Sequence, residues 1–322
     1  MAAEVFHAER VESRERRVPP QPSDGNPKGS LPPPGSSSSP PRGTRGRLVL
    51  QNINKSFPGS NVPALKDVTV VAEPGEFLVL VGPSGCGKST LLNVAAGMLK
   101  ADSGTVEIDG QRVTQPGPDR AVVFQDHGLF PWLNAAANIE FGLKMKGMSK
   151  SERQDRVADA LKMVHLSNAG HKLVHELSGG MRQRVAIARS LVLDPACLLM
   201  DEPFAALDAQ TRTLLHAQLQ ELWLNTKKTV LFVTHSVGEA VRLADRVIIL
   251  HSYPGRVRRE LKINLQHPRD FDGPELTELG HIVRKEIEDE VNRVNVHLAN
   301  DFWSPEKAAH LDPGARSVGD GL

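Results

Sequence analysis

The segment GPSGCGKST, residues 82–90, fits the spacing G-x-x-x-x-G-K-[ST]. It follows the apolar run EFLVLV and opens the helical run STLLNVAAG, the strand–loop–helix setting in which backbone N–H groups converge on phosphate oxygens. Gly82, Gly85 and Gly87 permit a tight loop, and Pro83, Ser84 and Cys86 fill the places between them. Lys88 brings a point charge for the outer phosphates, the Ser89 hydroxyl suits Mg²⁺, and Thr90 completes the pattern. The ligand this chemistry takes is a nucleoside triphosphate with Mg²⁺.

Three further segments supply what hydrolysis needs. CLLMDEP reads as a buried strand ending in Asp201, placed to hold Mg²⁺, and Glu202, placed to polarise an attacking water as general base. His235 follows the strand TVLFVT, where it can contact the γ phosphate and orient Glu202. Gln125 ends AVVFQ and can reach Mg²⁺ or the nucleophilic water. Phe57 offers a ring face for a base, or a core aromatic. One segment then stands unexplained. In HELSGGMRQRVAIARS, Ser178, Gly179 and Gly180 precede a clean helical run, the layout of a second anion cradle, this time without a lysine.

The elements that must position these residues are legible in outline. RLVLQNINKSF, LKDVTVVA, EFLVLVG, TVEIDG and AVVFQ read as strands, interrupted by one helix that begins at Gly87 or Lys88. A helical block follows, NAAANIEFGLKMKG and then SKSERQDRVADALKMVHL, where Ser149 and Glu152 make a capping-box signature. Strands then alternate with helices from Asp208 and Ser236, up to RVIIL. That alternation predicts a parallel α/β sheet with its ligand at the carboxyl ends of the strands, and an inserted helical subdomain over about 128–185. The expected organisation is a tail at 1–46, a nucleotide-binding domain at 47–265 and a partly helical extension at 266–322. The tail holds nine of the 23 prolines and reads as disordered, with a partner-binding polyproline segment as the other reading. In the extension, Leu276, Leu279, Val283, Ile287, Val291 and Val294 predict a docking amphipathic helix.

Composition narrows the class. A formal charge of +1 gives no global pull toward nucleic acid or acidic lipid, and there is no basic strip with interleaved aromatics. No apolar run approaches the roughly 18 residues of a membrane span, and the first residues lack a secretory apolar segment. Two cysteines, Cys86 and Cys197, fit a reducing compartment, so a cytosolic location is expected. Cys86 has two readings: a filler of a variable loop position, or an oxidation-sensitive thiol at a positive helix start.

Over residues 47–262 the chain resembles the ATP-binding subunit of an ABC transporter. In the family's order it shows an A-loop-like aromatic at Phe57, Walker A at 82–90, a Q-loop at Gln125 and the signature LSGGMRQR. Walker B CLLMDEP, a D-loop AALD ending at Asp208 and a switch histidine, His235, come after it. The resemblance implies a P-loop NTPase fold with a RecA-like core, an antiparallel β subdomain and an inserted helical subdomain, using ATP and Mg²⁺. It also implies a head-to-tail homodimer in which Ser178, Gly179 and Gly180 of one cassette complete the Walker A site of the other. Two anion cradles are then needed because each is half a site. Integral-membrane permease subunits and, indirectly, a periplasmic solute-binding protein are the implied partners, at the cytoplasmic face of the inner membrane of a bacterium, with no nucleic acid. Met181 departs from the family's usual Gln, and Phe57 from its usual Tyr.

The segments GPDRAVVFQDHGLFPWL, DEPFAALDAQTR and YPGRVRREL resemble importers of nitrate, alkanesulfonates and taurine. Phe130, Pro131 and Trp132 are implied in the wall of the groove that receives the permease, with packing inside the helical subdomain as their other reading. An exporter cassette and a non-transport ABC ATPase acting on ribosomes or DNA are the alternatives. The single set of motifs, and only about 50 residues between Gln125 and Ser178, speak against the second.

Overall fold

The computed structural model describes residues 44–269 and 273–302, with side chains up to residue 293. The tail expected at 1–46 falls outside the described residues except at its end, where the boundary shifts. Arg45 pairs with Asp194 at 2.7 Å, and the Gly46 N–H donates to Asp109 at 2.7 Å. Gly46 has φ 102°, and a Cβ there would lie 2.6 Å from both the Ala196 oxygen and Thr229 Oγ1. Residues 45 and 46 are therefore already packed structure.

Two sheets organise the chain from Leu48 onward. β1 (Leu48–Lys55), β2 (Leu65–Ala72), β4 (Ser103–Ile108) and the short β5 (Gln111–Arg112) form an antiparallel sheet in the order β2-β1-β4-β5. β3 (Phe77–Val81), β6 (Arg120–Val123), β7 (Cys197–Asp201), β8 (Thr229–Thr234), β9 (Arg246–His251) and β10 (Arg256–Lys262) form the second, in the order β10-β9-β3-β8-β7-β6. All its pairings are parallel except β9–β10. β3 is buried throughout and serves two cores by simple alternation. Phe77, Val79 and Val81 join the core beneath the helices, while Leu78 and Leu80 join the core shared with the antiparallel sheet. With β3 beside β8 and β8 beside β7, the segments carrying residues 82–90, Asp201 and His235 leave one end of one sheet.

β10, RVRRELK, carries no strand signal in its sequence. It has no apolar alternation, and it forms through backbone pairing with β9, its charged side chains suiting a sheet edge.

Around the sheets run α1 (Lys88–Ala96), α2 (Ala135–Met145), α3 (Lys150–Met163), α4 (Gly179–Leu191), α5 (Ala209–Thr226), α6 (Val237–Leu243) and α7 (Pro274–Phe302). α2, α3 and α4 pack on one another between β6 and β7 in the chain. Side-chain caps fix five starts: Asn134, Ser149, Ser178, Asp208 and Ser236 each accept the N–H three residues on. Ser149 accepts the Glu152 N–H at 3.3 Å, while the Glu152 carboxylate pairs with Arg156 at 3.2 Å, so half of the expected capping box forms. Along α7 the expected apolar stripe also holds in part. Leu276 and Val283 are buried and Leu279 and Ile287 partly so, but Val291 is exposed and the side chain of Val294 lies outside the described residues. There ion pairs replace apolar contact: Glu286 meets Arg258 at 2.7 Å and Arg259 at 2.5 Å, and the fully buried Glu290 carboxylate meets His251 at 2.6 Å.

Candidate nucleotide site

The phosphate loop leaves β3 at Gly82 and enters α1 through Gly87. Gly87 has φ 92°, and a Cβ there would meet Leu65 Cδ2 at 2.7 Å and the Ala64 oxygen at 2.8 Å, so both conformation and space demand glycine. Lys88 is buried and its ammonium donates to the carbonyl oxygens of Gly82 and Pro83, each at 2.9 Å. Its charge is thereby held inside the curl of the loop. Cys86 is fully buried, and that burial pushes its thiol up, outweighing the nearby Lys88 charge. A protonated, enclosed thiol is unreactive, so of the two readings of Cys86 the oxidation-sensitive one is not supported.

At the end of β7, Asp201 Oδ1 accepts a hydrogen bond from Ser89 Oγ at 2.9 Å across 112 positions of sequence. Burial raises the Asp201 carboxyl, against the Ser89 hydrogen bond, and the neighbouring Glu202 charge raises it further. Two hard oxygen donors with a carboxylate whose charged form lacks compensation fit a divalent cation. Glu202 sits one residue on, with φ 44°, a left-handed backbone rare for a non-glycine residue. Its N–H donates to the Val233 oxygen at 3.0 Å, and its Oε2 lies 2.9 Å from Nδ1 of His235.

A buried string behind His235 has almost no trace in the sequence. Thr234 Oγ1 donates to Glu239 at 2.5 Å, Glu239 lies 3.3 Å from Nε2 of His216, and the Ser236 N–H donates to Thr234 Oγ1 at 2.9 Å. Burial raises the Glu239 carboxyl, but the His216 and Thr234 hydrogen bonds bring it below its ordinary value. This string fastens the end of β8 to α5 and α6 and so fixes where His235 starts. Only the spacing of Ser236 and Glu239 hints at it.

The other expected residues lie further out. Gln125 is exposed, two residues beyond the last residue of β6 rather than at the strand terminus. Phe57 is 43% exposed, with Lys55 Nζ 5.8 Å from its ring centre, so it is no core aromatic. Asp208 caps α5, accepting the Thr211 N–H at 2.9 Å. Ser178 is exposed and caps α4, accepting the Met181 N–H at 3.3 Å. A Cβ on Gly179 would lie 3.2 Å from Leu207 Cδ2, and one on Gly180 only 2.7 Å from Thr211 Cγ2. Among the described residues no hydrogen bond or ion pair joins 178–180 to 82–90. Phe130 packs against Phe141 of α2 at 4.6 Å between ring centres, the helical-subdomain reading of that residue, whereas Trp132 is 72% exposed.

A family model described as ABC transporter matches residues 65–205. The nitrate import ATP-binding protein NrtD of Synechocystis is 50% identical over 229 residues, 70% of this chain and 85% of that protein. The chain belongs to the ABC transporter ATP-binding family. A taurine import ATP-binding protein, TauB of Mesorhizobium japonicum, is 48% identical over 212 residues, 66% of this chain and 82% of its own length. Among solved structures, a dimeric ATP-binding cassette in a post-hydrolysis state with ADP and phosphate superposes with a TM-score of 0.60. It is 36% identical and covers 68% of this chain and all of its own. This ABC subunit is thus an ATPase with the P-loop cassette fold, its parallel sheet carrying an antiparallel β sheet and a helical layer. No helix among the described residues is long and apolar enough to cross a membrane.

Proposed function

We propose that this chain powers an importer for a small anion of the nitrate or sulfonate type, from the cytoplasmic face of the inner membrane. The names of its relatives support that class of solute. Two copies close head to tail on two ATP molecules, bound to integral-membrane permease subunits that receive solute from a periplasmic binding protein. The observation that carries the site is the Ser89–Asp201 hydrogen bond, because it joins the phosphate-loop helix to the end of β7, one residue before Glu202. Residues 82–90 wrap the phosphates, Lys88 exchanging its carbonyl partners for phosphate oxygens, and Phe57 stacks on adenine. Ser178, Gly179 and Gly180 close on the γ phosphate of the partner's ATP, with Asp208 at the same interface.

Ser89, Asp201 and Gln125 would hold Mg²⁺, which supplies neutralisation of phosphate charge when bound. Glu202 takes a proton from the attacking water, and the water oxygen bonds to the γ phosphorus as the bond to the ADP oxygen breaks. His235 fixes the Glu202 carboxylate and contacts the γ phosphate. Ser178 is exposed at the start of α4, where its hydroxyl and the backbone N–H groups offer donors but no lysine, and that favours a contribution in trans over a second complete site.

The test is Glu202→Gln. With ATP and Mg²⁺ it should keep ATP affinity, lose at least about 100-fold in hydrolysis and accumulate a dimer by light scattering. A monomeric variant of full activity refutes the assignment.

A further inference from the structure

Between the β9–β10 turn and α7 lies a cavity of about 420 Å³, and no residue of the nucleotide site lines it. Arg256 and Arg293 bring positive charge to its wall, and none of the described residues lining it is acidic. The carboxylate closest in the chain to Arg293, that of Glu290, is fully buried and already matched. It accepts from the Ser252 N–H at 2.8 Å and from Arg293 Nη2 at 2.6 Å, while its Oε2 lies 2.6 Å from His251 Nδ1 and 3.3 Å from Arg258 Nη1. Its charge is therefore compensated where it stands. Arg256 is different. It is exposed, and its guanidinium has no hydrogen bond or ion pair among the described residues. The cavity thus holds positive charge that the fold itself does not use.

Ser252, also in the wall, points to a ligand independently. Its side chain is 1% exposed, and its Oγ is buried with no hydrogen-bond partner among the described residues. A buried hydroxyl left so is unfavourable, and alanine would avoid the cost. A ligand oxygen in the cavity would satisfy it. Tyr253, the only tyrosine in the chain, is next in the wall and about half exposed. Its φ of 52° is a left-handed backbone that a bulky side chain rarely adopts. With Pro254 and Val257 its ring gives the cavity an apolar flank. The volume falls within the roughly 300–1,000 Å³ of small-molecule sites and far exceeds the roughly 30 Å³ of one water. A bare inorganic ion would leave that flank wet, whereas an anionic head on a small flat body uses both walls.

We propose that this cavity binds a small organic anion, a sulfonate, carboxylate or phosphate head on a flat apolar body. Arg256 and the Ser252 hydroxyl take the head, and Tyr253 takes the body. Arg293 holds Glu290 through Nε and Nη2 and lines the same space, so an occupant bears on α7 as well as on the hairpin. The turn itself is a fixed floor, because the Gly255 oxygen accepts the Lys66 N–H of β2 at 2.9 Å.

The test uses the full chain grown with fluorotyrosine, so that Tyr253 gives the single fluorine resonance, with ADP and Mg²⁺ present to fill the phosphate loop. Titration with benzenesulfonate should move that resonance saturably, with a Kd below about 1 mM. Sulfate, which lacks the body, and benzenesulfonamide, which lacks the charge, should each bind at least about tenfold more weakly. Arg256→Gln should weaken benzenesulfonate about tenfold and Ser252→Ala about fivefold, while both keep the parent's melting temperature in the absence of the probe. No saturable shift overturns the proposal, as does equally tight binding of sulfate or of the neutral amide. An Arg256→Gln protein that binds benzenesulfonate as the parent does overturns it too. Should Ser252→Ala fail to fold, Arg256→Gln, at an exposed position, gives the reading alone.

Discussion

Nδ1 of His235 and Oε2 of Glu202 lie 2.9 Å apart, one residue beyond β8 and one beyond β7. The imidazole is more than half exposed and the carboxylate less than a quarter. The imidazole is therefore the open member of the pair and the carboxylate the more enclosed one. On the proposed role of Glu202, a carboxylate that accepts a proton from water gains from being held in one orientation, and the ring is within hydrogen-bond reach to hold it.

His235→Ala should accordingly slow phosphate release by about 100-fold while leaving the ATP dissociation constant within about twofold, measured with a fluorescent nucleotide. An unchanged rate would show that Glu202 is oriented by something else.

Gly180 has a purely steric demand separate from any nucleotide contact, since its missing Cβ would press on Thr211 Cγ2 at 2.7 Å. Gly180→Ala should lower stability by about 1–3 kcal/mol in urea unfolding, and Thr211→Ser, which deletes that methyl, should restore most of it. If the second change gives no recovery, the clash is not the reason for glycine.

Glu290 ties α7 to the hairpin between β9 and β10. Burial alone would raise its carboxyl, but hydrogen bonds from Arg293 and the Ser252 N–H, with the His251 and Arg293 charges, bring it down from 4.5 to about 2. A carboxyl depressed in the folded state stabilises above its unfolded value and loses that contribution as pH falls, here from about 5 to about 2. Glu290→Gln should lower the melting temperature at pH 7 and flatten its decline between pH 5 and pH 3. Equal acid sensitivity of variant and parent would remove Glu290 from the account.

That hairpin also reaches the phosphate loop: Gly255 has no room for a Cβ, which would lie 2.5 Å from the Cys86 oxygen and 2.4 Å from that of Ala64. α7 thus braces from behind the loop that Lys88 occupies.

Local sequence is enough to specify the phosphate loop, the strand ending in Asp201 with Glu202 just beyond it, the histidine after β8 and the helix starts at Asp208 and Ser236. Each rests on a few consecutive residues, a period of two, or a cap and its N–H. The charged strand β10 escapes such a reading, because backbone pairing at a sheet edge leaves no apolar pattern. Which distant residues meet is a property of the assembled fold. The order β3-β8-β7 brings Ser89 to Asp201 and His235 to Glu202, and close approach of Thr211 on α5 disfavours any side chain at Gly180. The pairing of Glu290 with His251 joins residues 39 positions apart, and no local propensity encodes such a contact.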